Sequence, residues 1–143
     1  MEDNIKKETI RRLINQSKLA VLSTITPENT SESAVVEVSA RDNLELIFDT
    51  LPIFRKYKNL NNNQNVSVVI GWEPATIQYE GIATELTGDV LEEYKQIHFS
   101  KFPEAVKFEK LGIKFFRVIP RWIRYTDVSR QPWEVFEVEF PVS

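Results

Sequence analysis

Short runs of β-branched and aromatic residues recur along the chain, and several of them alternate apolar with polar positions. Such runs are typical of strands that are buried on one or both faces. The predicted strands span residues 18–26, 33–39, 44–50, 66–72, 76–86, 113–119, 121–127 and 133–140, and two of them meet at Pro120. The strands at 33–39 and 44–50 are expected to form a hairpin. Gly81 lies inside a long strand and predicts a bulge or a bend there.

Helical spacing of apolar residues predicts three short helices among these strands. Residues 2–17 form an amphipathic helix, and a second helix starts at Pro52, because proline is tolerated in a first turn. Asp89 is expected to cap a third helix, in which His98 occupies the rim of the apolar side. Residues 104–111 add one or two further turns. Strands that follow strands without a regular βαβ repeat predict an antiparallel barrel or sandwich with helices at its ends.

Composition narrows the chemistry more than it narrows the fold. The 143 residues suit one domain, residues 1–143, without cysteine and with a single histidine. Disulfides, thiolate nucleophiles, iron–sulfur clusters and cysteine- or histidine-rich metal sites are therefore excluded. Four scattered glycines exclude the glycine-rich nucleotide loops. The net charge of −3, without a long apolar run or a signal peptide, predicts a cytoplasmic protein with neither nucleic acid nor membrane as partner.

One short segment concentrates positive charge. Residues 55–58 read Arg-Lys-Tyr-Lys, and no acidic residue occurs between positions 50 and 71. The segment follows a strand end and opens a helix, where backbone amides and the helix dipole favour an anion. Arg55, Lys56 and the Thr50 hydroxyl together would suit a phosphate monoester, although a solvated basic turn would show the same residues.

Aromatic side chains are the second candidate feature. They lie on or beside predicted strands at Trp72, Tyr79, Trp122, Tyr125 and Trp133. They could wall a flat ring system or belong to a dimer interface. Barrel core is the simpler interpretation, because aromatic residues dominate cores in general.

The segment from Phe48 to Ser67, F-D-T-x-x-x-x-R-K-Y-x-N-L-x-N-N-x-x-V-S, resembles the pyridoxamine 5′-phosphate oxidase family of split-barrel flavoproteins. Gln78 follows on the next long strand, where the family also carries a glutamine. The stretches at 19–26 and 116–125 resemble further strands of that family. The resemblance covers roughly residues 10 to 127.

The resemblance implies a mainly β, antiparallel split barrel that forms a homodimer with FMN in a groove at the dimer interface. Arg55 and Lys56 would hold the FMN phosphate, and Gln78 would bond the polar edge of the ring. The other implied cofactor-binding residues are Val36, Glu37, Val38 and Ser39, whose main chain would run beside the ring, and Asp49 and Thr50, which would line the path to it. The implied activity is that of an FMN-dependent oxidoreductase, with the flavin carrying the chemistry.

The chain also departs from the vitamin-synthesising oxidases. Ala34 and Ser39 stand where those enzymes carry an arginine and a lysine, and the arginine–histidine pair near their C-terminus is absent. A tryptophan that covers their flavin falls near Thr126, unless Trp122 or Trp133 replaces it. We therefore expect little oxidation of pyridoxine phosphate and a substrate of another kind. A module that only stores or senses flavin, or a barrel that binds a deazaflavin or a haem with His98 as ligand, remains an alternative.

Overall fold

The computed structural model describes residues 1–141; residues 142 and 143, the last two of the predicted domain, lie outside this range. Its strands follow one another in runs of two to four, and short helices separate the runs. In chain order they are α1 (Asp3–Gln16), β1 (Leu19–Ile25), β2 (Ser31–Glu37), β3 (Ser39–Ala40), β4 (Leu46–Thr50), α2 (Arg55–Asn62), β5 (Asn65–Ile70), β6 (Ala75–Glu85), α3 (Gly88–Lys101), a 3₁₀ helix (Pro103–Leu111), β7 (Lys114–Asp127) and β8 (Glu134–Glu139).

All these strands belong to one antiparallel sheet. Its order is β2-β1-β5-β6-β7-β4-β3, and β8 pairs with the part of β7 that β4 leaves free. The two ends of this order, β2 and β3, follow each other in the chain with only Val38 between them. The sheet therefore has to curl back on itself, with an unpaired seam between its ends. This confirms the predicted mainly β, antiparallel split barrel.

The predicted hairpin between residues 33–39 and 44–50 is confirmed only at its turn end, where Ser39 pairs with Ile47, and is wrong for the rest of the first strand. β2 pairs along its whole length with β1, from Leu19 opposite Glu37 to Ile25 opposite Ser31, and only β3 reaches β4. A tight turn causes this pairing: the hydroxyls of Thr26 and Thr30 are 2.6 Å apart, and the Thr30 amide donates to the Thr26 hydroxyl.

The bulge predicted at Gly81 is confirmed, because the β6–β7 register shifts between Glu80 and Gly81. A Cβ atom at Gly81 would lie 2.4 Å from the carbonyl oxygen of Ile119, which only glycine avoids. Pro120 pairs with Gly81 at this irregular point. A proline fits there because a bulge interrupts the hydrogen-bond ladder, and β7 continues through it as one strand instead of the two predicted ones.

Two helix starts differ from the prediction. α2 begins at Arg55, and Pro52 lies in the turn before it. Asp89 lies within the first turn of α3, whose N-cap position is Thr87 and has no capping side-chain bond. The shift at α2 matters for function, because it places Arg55 and Lys56 in the first turn of the helix, where backbone amides are still unpaired.

The core fills the curl of the sheet, and α1 closes one side of it. Ile10 and Ile14 of α1 are fully buried against the main cluster. α3 packs on β3 and β4, and its Tyr94 joins a second cluster with residues of β4 and β7. Of the aromatic residues singled out above, Tyr79 and Tyr125 belong to the core, whereas Trp72 and Trp133 are exposed.

Candidate functional site

A pocket of about 290 Å³ lies where α2 begins. β1 and β2 supply its floor, since consecutive inward positions of the two paired strands face it. The start of α2 supplies its wall. Its lining residues are Leu22, Thr24, Glu32, Ser33, Ala34, Phe54, Arg55 and Lys56. The structure thus brings both members of the predicted phosphate pair to one cavity.

The two cations differ in their surroundings. Arg55 is largely exposed, with 73% of its side chain open to solvent. Lys56 is half-buried, and its Nζ lies 4.8 Å from the centre of the Phe54 ring. Burial lowers the pKa of the Lys56 ammonium, and the negative charge of Asp49 opposes that shift. Among residues 1–141, Lys56 forms no salt bridge, so its charge is left for a ligand.

Glu32 is a functional candidate that the sequence reasoning missed. Its Oε2 is 2.9 Å from Nη1 of Arg55, and its Oε1 accepts a hydrogen bond of 2.9 Å from Nδ2 of Asn59. Asn59 is buried and also donates to the Thr24 hydroxyl. The segment around Arg55 contains no acid of its own, but β2 brings one into the pocket.

The end of β4 carries the predicted residues Asp49 and Thr50. The Asp49 Oδ2 lies 3.3 Å from Nε2 of His98, without the alignment of a hydrogen bond. Thr50 is buried, and its hydroxyl donates to the neighbouring Leu51 carbonyl at 3.3 Å. Asp49 is therefore close enough to Lys56 to act on its charge, whereas the Thr50 hydroxyl is turned to the main chain.

His98 does not lie on the rim of its helix, as predicted, but is fully buried. Its Nδ1 is 2.7 Å from the Ser39 hydroxyl, and its ring packs against Phe102 and Phe115. α3 lies on β3 and β4, which cover this side of the helix. Ser39 and His98 thus form a buried hydrogen-bonded pair, and the partly exposed Asp49 lies next to it.

The stretch predicted to run beside the flavin ring begins on β2 and ends on β3. Its side chains at Val36, Val38 and Ser39 are buried, and that of Glu37 is exposed. The Ser39 hydroxyl is bonded to His98, and both main-chain groups of Val38 are bonded to Lys18 and Lys101. What this stretch can offer to a ligand is the main-chain edge of β2 that β1 leaves unpaired.

Gln78 lies on the outer face of the sheet. In register it stands opposite Val69, which stands opposite Val21, so these side chains share one face. The pocket residues Leu22 and Thr24 belong to the inner face, because side chains alternate along a strand. Within one chain, the structure therefore does not bring Gln78 to the pocket that holds Arg55 and Lys56.

A larger cavity, of about 610 Å³, lies elsewhere, between α1 and the β5–β6 turn. It contains cations and acids in equal number, Arg12 and Lys18 against Glu73 and Asp127, and none of the predicted cofactor-binding residues. Such a balance gives no preference for a phosphate. Within the described range no cluster of metal-ligating side chains occurs, and no helix is long and apolar enough to cross a membrane.

Solved structures of similar fold include proteins with different cofactors in their descriptions. A pyridoxamine 5′-phosphate oxidase-related, FMN-binding protein from Nostoc punctiforme superposes with a TM-score of 0.69 at 9% identity, over 99% of this chain and 98% of that one. A putative pyridoxamine 5′-phosphate oxidase from Listeria innocua gives 0.67 at 15% identity, over 84% and 97%. A haem-binding protein from Mycobacterium smegmatis gives 0.78 at 16% identity, over 91% of this chain and 57% of that longer one.

At such identities these likenesses establish the fold alone. Among curated proteins, no match was found. The sequence model of the family described as pyridoxamine 5′-phosphate oxidase, however, matches residues 7–127, which is most of the chain. The chain therefore belongs to the pyridoxamine 5′-phosphate oxidase family.

Proposed function

We propose that this protein is an FMN-binding oxidoreductase that holds its cofactor between two copies of the chain. The observation that carries the proposal is the pair Arg55 and Lys56 in the first turn of α2, lining one pocket. An FMN-binding protein of the same fold supports this cofactor.

The pocket fits a phosphate group better than any other part of FMN. Lys56 is a half-buried cation without a salt-bridge partner in the described chain, and unpaired amides of the first α2 turn lie beside it. The volume of the pocket, about 290 Å³, is small for the whole of FMN, since pockets that enclose a small-molecule ligand run from roughly 300 to 1,000 Å³. We infer that the phosphate and part of the ribityl chain enter it and that the ring lies outside.

A second copy of the chain would complete the site. Gln78 faces away from the pocket of its own chain, so a ring held by one copy could meet the Gln78 of another. The same outer face exposes Leu19, Val35 and Val69, an apolar surface suited to burial. Light scattering of the FMN-loaded protein should then give the mass of a dimer.

When bound, FMN supplies hydride and electron transfer at its ring. The residues of this chain bind and orient it: Arg55 and Lys56 fix the phosphate, and the main chain from Val36 to Ser39 borders the ring. Ala34 has no charge to offer a substrate, and the Ser39 hydroxyl is buried against His98. We therefore propose a substrate without the phosphate of the vitamin-synthesising reaction.

The test is a titration of FMN and of riboflavin, which lacks the phosphate. Replacing Arg55 and Lys56 by alanine should weaken FMN by two to four decades, about 3–6 kcal/mol for two charge-assisted contacts. Riboflavin should bind both proteins about equally. The double variant Lys107→Ala/Lys110→Ala removes the same charge from the exposed 3₁₀ helix and should change neither affinity. Equal loss of both flavins would mean that the fold is damaged, and FMN affinity like that of the wild-type protein would contradict the phosphate site.

Reduction of the bound flavin by NADH or NADPH, seen as bleaching of its spectrum, would support an oxidoreductase. A flavin that no such donor reduces would favour a storage or sensing module instead.

Haem is the second candidate, supported by the haem-binding protein of the same fold. His98 could ligate iron only by leaving its buried position, since Nδ1 meets Ser39 and Nε2 faces Asp49. The absorption spectrum of the cofactor extracted from the purified protein separates haem, flavin and deazaflavin.

A further inference from the structure

The carboxylate of Glu32 is held in the candidate phosphate pocket by contacts to both of its oxygens. Arg55 contacts one of them and Asn59 donates to the other, each at 2.9 Å. The Asn59 amide also donates to the Thr24 hydroxyl at 3.0 Å, which fixes the amide in the buried layer between α2 and β1. Glu32 is thus an anion of the protein itself, and it forms an ion pair with the arginine that would bind the phosphate of a ligand.

This acid changes the charge of the pocket from what the local sequence predicts. Arg55 and Lys56 give two positive charges, but Glu32 lines the same pocket and Asp49 acts on Lys56 from the end of β4. The charged residues that line the pocket therefore sum to +1 instead of +2, and a dianionic phosphate meets less positive charge than the local sequence predicts. Juxtaposed like charges weaken binding and serve specificity more than affinity.

We propose that Glu32 is a specificity residue that competes with the cofactor's phosphate for Arg55. It thereby sets how strongly the site prefers a phosphorylated flavin to an unphosphorylated one. The proposal rests on the proposed function, because it concerns the same pocket. On phosphate binding, the exposed Arg55 side chain turns from Glu32 to the phosphate, and Asn59 retains the carboxylate.

A purely structural role explains this geometry less well. An ion pair with one exposed partner stabilises a fold little, and Arg55 is 73% exposed. The contact to Asn59 does not need the charge either, since the oxygen of a neutral amide would accept the same hydrogen bond.

The variant Glu32→Gln tests the proposal, since it keeps the shape of the side chain and removes its charge. FMN should bind roughly three- to thirty-fold more tightly than to the wild-type protein, while riboflavin changes less than about twofold. Glu28→Gln, on the exposed β1–β2 turn, removes the same charge away from Arg55 and should leave both affinities unchanged. Glu32→Ala should shift the ratio of FMN affinity to riboflavin affinity in the same direction. Agreement between the two variants would show that the glutamine amide itself does not cause the change.

A second variant, Arg55→Ala, separates competition for Arg55 from simple repulsion between Glu32 and the phosphate. In Arg55→Ala, where there is no arginine to compete for, Glu32→Gln should tighten FMN less than it does in the wild-type protein. An undiminished gain would overturn the competition.

The failure of this inference differs from a failure of the proposed function. If the wild-type protein prefers FMN and Glu32→Gln leaves that preference unchanged, Glu32 has no such role and the phosphate site stands. If neither protein prefers FMN to riboflavin, both proposals are wrong.

Discussion

Lys56 and Lys101 are both half-buried lysines, but the fold uses their donors differently. The Lys101 ammonium donates to three backbone carbonyl oxygens, those of Ile14 at 2.9 Å, Ser17 at 2.6 Å and Val38 at 2.7 Å. The Lys56 ammonium lies over an aromatic ring and, within the described chain, has no salt-bridge partner. Burial lowers the pKa of both side chains.

The comparison shows that burial of a lysine does not by itself indicate function. Lys101 donates to carbonyls at the end of α1, of which that of Ile14 also accepts from the Ser17 amide, and ties them to the β2–β3 junction at Val38. All three of its protons are used within the protein. Lys56 faces a pocket with donors to spare. A structural cation donates its protons to acceptors within the protein, whereas a cation that can bind a ligand keeps some of them free. How deeply the side chain is buried does not separate the two.

Replacing Lys101 by methionine should have the largest effect on stability. Three buried carbonyls would lose a charged donor, so the free energy of unfolding should fall by about 2–4 kcal/mol. Urea denaturation measures this change. Lys110→Met, at an exposed position of the 3₁₀ helix, is the matched control and should stay within about 0.5 kcal/mol of the wild-type protein. A loss as small as the control's would mean that water replaces the ammonium at these carbonyls.

Replacing Lys56 by methionine should weaken FMN binding and leave the stability of the fold almost unchanged. The affinity for FMN should fall by about 1.5–3 kcal/mol, because a charge-assisted contact to the phosphate is lost. The free energy of unfolding should change by less than about 1 kcal/mol, since a cation without an internal partner is removed. Titration and urea denaturation of the same preparation compare the two quantities. A stability loss like that of Lys101→Met would place Lys56 among the structural cations.

The sequence predicted the barrel better than it predicted the partners of each strand. Alternation shows which face of a strand is buried, so the positions of the strands and the bulge at Gly81 follow from local pattern. It does not show which neighbour a strand joins. The hydrogen bonds between Thr26 and Thr30 decide that β2 turns back onto β1, and no alternation records them.

The candidate site was predictable only in its local part. Arg55 and Lys56 are adjacent, and no acidic residue lies near them in the sequence, so the sequence alone predicts a positively charged segment there. Glu32 reaches them from β2 through the pairing of β1 with β2, which the hairpin prediction had missed. The burial of His98 depends on how α3 lies against β3 and β4, and helical spacing cannot show which side of a helix is covered.

The pH dependence of stability offers the finest test of the comparison. Burial lowers the pKa of Lys101 from 10.5 to about 8 in the folded protein. Between these two values the unfolded chain binds more protons than the folded one, so this lysine makes stability rise with pH from about 8 to 10.5. One proton limits the slope to about 1.4 kcal/mol per pH unit, and half-burial keeps it below that limit.

The difference in unfolding free energy between the wild-type protein and Lys101→Met isolates this lysine, because all other titrating groups are common to both. We expect that difference to widen between pH 8 and pH 10 in urea denaturation. A neutral amine still donates two protons, so most of the contacts to Ile14, Ser17 and Val38 survive the titration. A difference that narrows instead would mean that the pKa of Lys101 is not lowered. Hydrogen bonds to the charged form raise the pKa of a lysine, and those to the three carbonyls would then outweigh the effect of burial. Lys101 would then be a fully ionised structural cation throughout this range.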